Sequence, residues 1–285
     1  MNIPSITCGD QTYGNFQFFA KGFMGEVYKG CDSLGKPYIL KLSRPTVSVY
    51  EQQLENEIQV CREMDHPNIV KTLSAGKMKI DATESAPVDA SVNGGCAEYY
   101  YILQEFYEGG NLKSRIRPGT PLDTCMDWFR QIATGLRALH EKFVHRDLKP
   151  ENILMDAEGH LHIADFGLAK VLTDTPECLA DADAPKDPFN GWGTVEYMAP
   201  ECWTFEETTP AADIYSLGIM FFEILTGELP CKSHRARDLK EFHLHQPLPR
   251  LADFIHTNAE TLAKLQNCID CMTAKNPAER QLPQF

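Results

Sequence analysis

The sequence predicts an α+β protein of two lobes, a small strand-rich one followed by a larger, mainly helical one. Three observations predict it. Short aromatic or β-branched runs separated by glycine-containing breaks fill residues 13 to about 106. A single helical stretch interrupts them, and from Asn111 onward apolar residues recur mostly at helical spacing. This division makes residues 1–12 an N-terminal extension, 13–106 the first lobe and 107–285 the second, with a cleft expected between the lobes.

In chain order, Phe16–Phe19, Glu26–Lys29 and Tyr38–Leu42 read as strands of an antiparallel sheet, broken at Gly22-Phe-Met-Gly25 and at Asp32–Gly35. Val49–Met64 reads as a helix, apolar at Leu54, Ile58, Cys61 and Met64. It stops before His66-Pro67-Asn68, because the residue ahead of a proline is pushed out of the helical region. Ile69–Leu73 and Tyr99–Gln104 read as two further strands. Between them Lys77–Glu98 is polar and small-residue-rich, and is expected to be an exposed loop insertion. Gly109-Gly110 marks the exit to the second lobe. There Trp128, Phe129, Ile132, Leu136 and Leu139 define one helix, and Ile214, Leu217, Phe221, Phe222 and Leu225 another. Ile153–Met155 and Leu161–Ala164 read as a hairpin around Glu158-Gly159.

Composition narrows the function classes. Lys+Arg minus Asp+Glu is 27 − 40 = −13, a balance that disfavours nucleic acid and anionic membranes as partners. The longest apolar stretch, Leu217–Leu225, is interrupted by Glu223 and is too short to span a bilayer. The N-terminus has neither a basic segment nor an apolar run, so no secretion signal is expected. The ten cysteines are scattered apart from Cys268-x-x-Cys271, which falls on a helical pattern and reads as packing. A reducing, cytoplasmic setting follows as the default, with the nucleus as the alternative.

The chemistry is concentrated in His145-Arg-Asp147-Leu-Lys149-Pro-Glu-Asn152. Phosphoryl transfer to a hydroxyl needs a proton acceptor, a cation for the moving group and metal ligands, and Asp, Lys and Asn occur here together. Asp165-Phe166-Gly167 follows after a hairpin that returns the chain to Asn152. Two oxygen ligands thereby converge, as Mg²⁺ demands.

Together with Gly193-Thr194-x-x-Tyr197-Met-Ala199-Pro200-Glu201, these segments resemble the eukaryotic protein kinases in order and spacing, over about residues 13 to 282. The resemblance implies the bilobal protein kinase fold and an ATP-dependent enzyme with Mg²⁺ that phosphorylates protein hydroxyls in signalling. By this likeness Asp147 would be the base, Lys149 would hold the γ-phosphoryl group, and Asn152 and Asp165 would hold the metal. Lys149, and Thr194 bonded to Asp147 and Lys149, mark the serine/threonine type. Ala20, Lys21, Gly22, Phe23, Met24, Gly25 and Val27 look like the glycine-rich phosphate loop, with Ala20 where the family has its first glycine. Lys41 would bind the α- and β-phosphates and pair with Glu57, Glu55 being the alternative partner. Val27 and Ile39 would cover the purine and Leu154 would floor it. Gln104 falls at the gatekeeper position, Glu105 and Tyr107 would meet the adenine edge through their backbones, and Asn111 would reach the ribose.

Three features depart from the pattern: Ala20, isoleucine at Ile39 where alanine is usual, and a chain that stops soon after Arg280, before a customary final helix. They give the alternative of a pseudokinase or nucleotide-binding allosteric scaffold; Lys41, Glu57, Asp147, Lys149, Asn152 and Asp165 speak against it. Asp213 should anchor the backbone around His145, and Glu201 and Arg280 should form a buried ion pair. The activation segment, 165–201, has no hydroxyl in Pro188–Trp192. Asp187 is expected to stand in for a phosphate near Arg146, with Thr173 and Thr175 the phosphorylatable alternatives before Thr194. Glu151 would read a basic residue near the phosphoacceptor of a protein substrate.

Overall fold

The computed structural model describes residues 3–21, 25–43, 48–81, 96–172 and 191–283. It divides into two compact units. The first comprises residues up to Asp65 together with Val70–Tyr107, and the second comprises His66–Ile69 and Glu108 onward.

Unit 1 is a six-stranded antiparallel sheet and one helix. The strands are β1 (Ile6–Cys8), β2 (Gln11–Lys21), β3 (Gly25–Cys31), β4 (Pro37–Ser43), β5 (Thr72–Asp81) and β6 (Cys96–Glu105), in the spatial order β1-β2-β3-β4-β6-β5. Side chains alternate between faces along each strand. Tyr28, Leu40 and Leu103 lie opposite one another in register and share one face with Tyr38, Leu42 and Tyr13, forming the unit's core. Helix α1 (Ser48–Glu63) packs on β5 and β6. There the Tyr100 hydroxyl reaches Glu51 and Glu55, and Lys77 covers its ring at 4.5 Å.

Two expectations change. The N-terminal twelve residues include a strand: β1 pairs with β2 through Ile6↔Tyr13, and Ile6 enters the core. Ile-Thr-Cys is too short to show alternation; the turn at Gly9 (φ 57°), where glycine carries no Cβ penalty, folds it back. The expected loop at 77–98 is strand at both ends, with Lys77↔Tyr100 through Asp81↔Cys96 in register. Lys77 and Lys79 make the segment look polar, but Met78 and Ile80 alternate with them and Ile80 is buried. Residues 82–95 lie outside the described residues.

Unit 2 is mainly helical: α2 (Leu122–Leu139), α3 (Pro200–Trp203), α4 (Pro210–Thr226), α5 (Ala236–His245) and α6 (Ala259–Met272). Two small antiparallel pairs lie among them: β7 (Phe143–Val144) with β10 (Lys170–Val171), and β8 (Ile153–Met155) with β9 (Leu161–Ile163). The α2 face toward the core is Cys125, Phe129, Ile132, Leu136 and Leu139, with Trp128 at its margin. Thr209 caps α4, Pro210 supplies a preset first-turn φ, and Gly227 ends it in the left-handed region (φ 78°). Nearly every α4 side chain is buried, as in a helix surrounded by others. In α6 the fully buried residues are Leu265, Ile269 and Met272, and Cys268 and Cys271 are partly buried free thiols, burial pushing the Cys268 thiol up to about 11. Asn68 ties the 66–69 segment to unit 2 by donating to the Leu161 carbonyl at 2.9 Å.

Candidate active site

The sheet register of unit 1 gathers residues that the sequence singled out. Ala20 lies opposite Val27, Val27 opposite Lys41, and Ile39 opposite Gln104. Ile39 and Lys41 are two apart on β4, so all five side chains share the face opposite the core cluster. Lys41 Nζ meets Glu57 Oε1 at 2.7 Å, while Glu55, one face round α1, is 3.6 Å from Lys77. Glu57, not Glu55, is therefore the partner of Lys41. Lys21 ends β2 opposite Glu26. Gly22, Phe23 and Met24 lie outside the described residues. A Cβ at Gly25 would stand 2.1 Å from the Leu42 carbonyl oxygen, so strand pairing alone excludes a side chain there. Gln104 is buried, Glu105 pairs with Lys36 at 2.7 Å, and the Tyr107 hydroxyl accepts the Lys71 backbone N–H at 2.8 Å.

In unit 2, residues 145–152 form a loop closed by its own hydrogen bonds. His145 Nδ1 accepts the Asp147 N–H at 3.2 Å and its Nε2 faces the Ala164 carbonyl at 3.1 Å, so the neutral Nε2–H tautomer satisfies both. Phe166 is buried edge-on against the same ring. Asp147 Oδ1 accepts from the Thr194 N–H at 2.9 Å and from its hydroxyl at 2.6 Å. Oδ2 faces Lys149 Nζ at 2.7 Å and Asn152 Nδ2 at 3.2 Å. Lys149 also donates to the Thr194 hydroxyl at 2.6 Å, which fixes that hydroxyl as donor to Asp147. Gly193 makes this approach possible. Its φ is 132° and a Cβ there would sit 2.9 Å from the Arg146 carbonyl oxygen.

The β8–β9 hairpin returns the chain as its length predicts: Ile153 pairs with Ile163, and the Ala164 N–H donates to the Asn152 carbonyl at 2.8 Å. Asp165 follows, exposed and at φ 67°. Asn152 spends its amide nitrogen on the Asp147 carbonyl at 2.9 Å, which turns its amide oxygen the other way. That oxygen and the Asp165 carboxylate have no side-chain partner among the described residues. They are hard oxygen donors of the kind Mg²⁺ takes. Asn111 bridges to Leu154, and its side-chain oxygen caps the turn at Ser114, leaving its amide group as the donor.

Three buried carboxylates hold this loop and the 193–201 segment. Asp213 accepts the His145 N–H at 2.7 Å and the Arg146 N–H at 2.8 Å, and meets His140 at 2.9 Å. Burial works against its charge, but His140 and the two N–H bonds hold its carboxyl below the usual carboxylate range. Glu201 and Arg280 form a two-pronged pair at 2.6 and 2.8 Å. The third was missed from sequence: Glu223, buried inside α4, pairs with Lys113 at 2.5 Å and accepts the Tyr197 hydroxyl at 2.6 Å. The signal was present, since an acid inside an apolar helix requires a buried partner. Thr173, Thr175 and Asp187 lie outside the described residues.

Comparison with known proteins gives the family. The protein kinase domain family model matches residues 13–283. The probable serine/threonine-protein kinase PknB of Lactococcus lactis is 29% identical over 91% of this chain and 38% of its own length. The serine/threonine-protein kinase PknD of Mycobacterium tuberculosis is 30% identical over 98% of this chain and 39% of its own length. Human ribosomal protein S6 kinase alpha-2 is 30% identical over 92% of this chain and 32% of its own length. The chain thus spans well under half of each of these relatives. Among the described residues, no helix is long and apolar enough to cross a membrane. The chain belongs to the protein kinase family, of the serine/threonine type.

Proposed function

We propose that this chain is an ATP-dependent protein kinase domain that transfers the γ-phosphoryl group of ATP to serine or threonine hydroxyls of protein substrates. The observation that carries the reading is the Asp147–Lys149–Thr194 cluster, a carboxylate fixed on both oxygens beside an ammonium group. Asp147 orients the acceptor hydroxyl and takes its proton. Lys149 follows the charge that develops on the transferring group. Thr194 holds both in place.

In this reading the two units are the two lobes of the kinase fold, and each supplies its own residues to the nucleotide. Unit 1 supplies Lys41 for the α- and β-phosphates, set by Glu57, and the phosphate loop from Ala20 to Gly25. Val27 and Ile39 lie over the purine, and the backbones of Glu105 and Tyr107 meet its edge, behind the Gln104 gatekeeper. Unit 2 supplies Leu154 as the floor and the amide nitrogen of Asn111 for the ribose. Asn152 and Asp165 hold Mg²⁺, which when bound neutralises phosphate charge. The isoleucine side chain at Ile39, bulkier than alanine, narrows the purine slot. Exposed Glu151, on an acidic chain, supports a preference for substrates basic around the phosphoacceptor. Free cysteines support a reducing compartment, cytoplasm or nucleus.

The test is transfer of labelled phosphate from ATP to mixed serine, threonine and tyrosine peptides, with Asp147→Asn as control. Label on serine or threonine that vanishes in the variant supports the reading. Nucleotide binding without transfer makes the chain a pseudokinase.

A further inference from the structure

Among the described residues outside the proposed phosphotransfer machinery, one cluster of metal-ligating side chains is already assembled, at the turn of the β8–β9 hairpin. Asp156, Glu158 and His160 each place one ligand atom within 4.8 Å of the others. His162, two residues on and in β9, approaches the same Asp156 carboxylate. The backbone sets this up. The Asp156 N–H donates to the His160 carbonyl at 3.0 Å, Gly159 takes the left-handed φ of 93°, and the His160 N–H returns to Asp156 Oδ1 at 2.7 Å. Asp156 Oδ2 is left facing two imidazoles, His160 Nδ1 at 3.0 Å and His162 Nε2 at 3.5 Å.

Those spacings have a chemical meaning. A tetrahedral ion bound at roughly 2.0–2.2 Å keeps its ligand atoms about 3.3–3.6 Å apart. The His162 contact at 3.5 Å falls in that range and the His160 contact at 3.0 Å lies just inside it, so both rings stand near ligand distance from one carboxylate oxygen. Glu158 is exposed, so rotation of its side chain alone closes the remaining gap. Two imidazoles and two carboxylates suit zinc and its first-row neighbours, and two nitrogen donors discriminate against Mg²⁺ and Ca²⁺. His160 is 65% exposed, which leaves an entry path from solvent.

We propose that the β8–β9 turn is a binding site for a divalent transition-metal ion, with Asp156, Glu158 and His160 as ligands and His162 completing the set. Binding replaces the two histidine–carboxylate hydrogen bonds by metal bonds, with each ring's N–H moved to its other nitrogen. It ties the turn to β9 and so clamps the hairpin whose open end carries Asn152 and Asp165.

The experiment is titration of the full chain with Co²⁺ followed by visible absorption, repeated with Zn²⁺ by calorimetry and with Mg²⁺ as the hard-ion control. The partly buried Cys268 and Cys271 are the competing ligands, so Cys268→Ser/Cys271→Ser is titrated alongside. The expected result is one equivalent of Co²⁺ with the bands of a low-coordinate nitrogen and oxygen site and no thiolate charge-transfer band. Zn²⁺ displaces it, the double serine variant behaves as the parent, and Mg²⁺ in excess does not compete. His160→Ala and Glu158→Gln, both at exposed positions that leave the fold intact, each weaken binding about tenfold or more. No stoichiometric binding, a thiolate band, or undiminished affinity in His160→Ala overturns the proposal.

Discussion

Asp213 Oδ1 accepts the backbone N–H of Arg146 at 2.8 Å, and Arg146 is held in the left-handed region at φ 70°. A non-glycine residue there costs on the order of 1–3 kcal/mol, and such strain persists only when its surroundings over-determine it. The other Asp213 oxygen holds the His145 N–H, so one buried carboxylate fixes two consecutive peptide units directly ahead of Asp147.

Asp213→Asn places an amide nitrogen against one of those N–H groups. We expect it to lower stability by about 2–4 kcal/mol, and to lower kcat more than it raises KM for ATP. Urea denaturation with steady-state kinetics checks this. A variant with native stability and rate would show that the carboxylate is dispensable.

Lys41→Met removes the ammonium group from the Lys41–Glu57 pair, whose distance is 2.7 Å. The lysine is partly exposed, so the fold should survive. Phosphoryl transfer should fall about a hundredfold or more. Circular dichroism and a radiometric assay on the same sample separate unfolding from loss of chemistry.

The Glu201–Arg280 pair is buried on both sides. Glu201→Gln leaves a buried guanidinium without its counter-charge and should cost roughly 3–5 kcal/mol. For a chain of this size that lowers Tm by roughly 10 °C, measurable by calorimetry. An unchanged Tm would mean that the pair contributes nothing net.

His243 is fully buried against Tyr215, and burial together with the nearby Lys275 cation lowers its pKa to about 4. Unfolded, the ring titrates near 6.5. Between those values the unfolded chain binds the extra proton, so stability rises with pH across that window. It is lost as pH falls from about 6.5 and levels off below about 4, with a span on the order of 3 kcal/mol. Comparing the pH dependence of unfolding in wild type and His243→Phe isolates this contribution: the variant should show the flatter slope between pH 4 and 6.5.

Much of this was legible from the chain. The strand runs around Tyr28 and Leu40, the α1 helix stopping before His66-Pro67, and the α4 pattern were readable because each shows a period and a stop signal. The Asp147, Asn152 and Asp165 positions were readable because the hairpin between them has a length that returns the chain. What escaped needed contacts between distant segments. Ile6 shows as strand only once Tyr13 pairs with it, and Met78 and Ile80 were hidden by alternating lysines. Glu223 was seen as an interruption, but its partners Lys113 and Tyr197 come from loops with no pattern of their own. The gathering of Ala20, Val27, Ile39, Lys41 and Gln104 on one face depends on register, which strand propensity does not give.

The most direct test of the account is single-turnover phosphoryl transfer at saturating ATP and Mg²⁺, measured for wild type and Asp147→Asn with nucleotide affinity determined on the same preparations. A base that acts on the acceptor hydroxyl predicts a rate at least about a hundredfold slower in the variant, with ATP affinity essentially unchanged. Transfer at the wild-type rate by Asp147→Asn would contradict it.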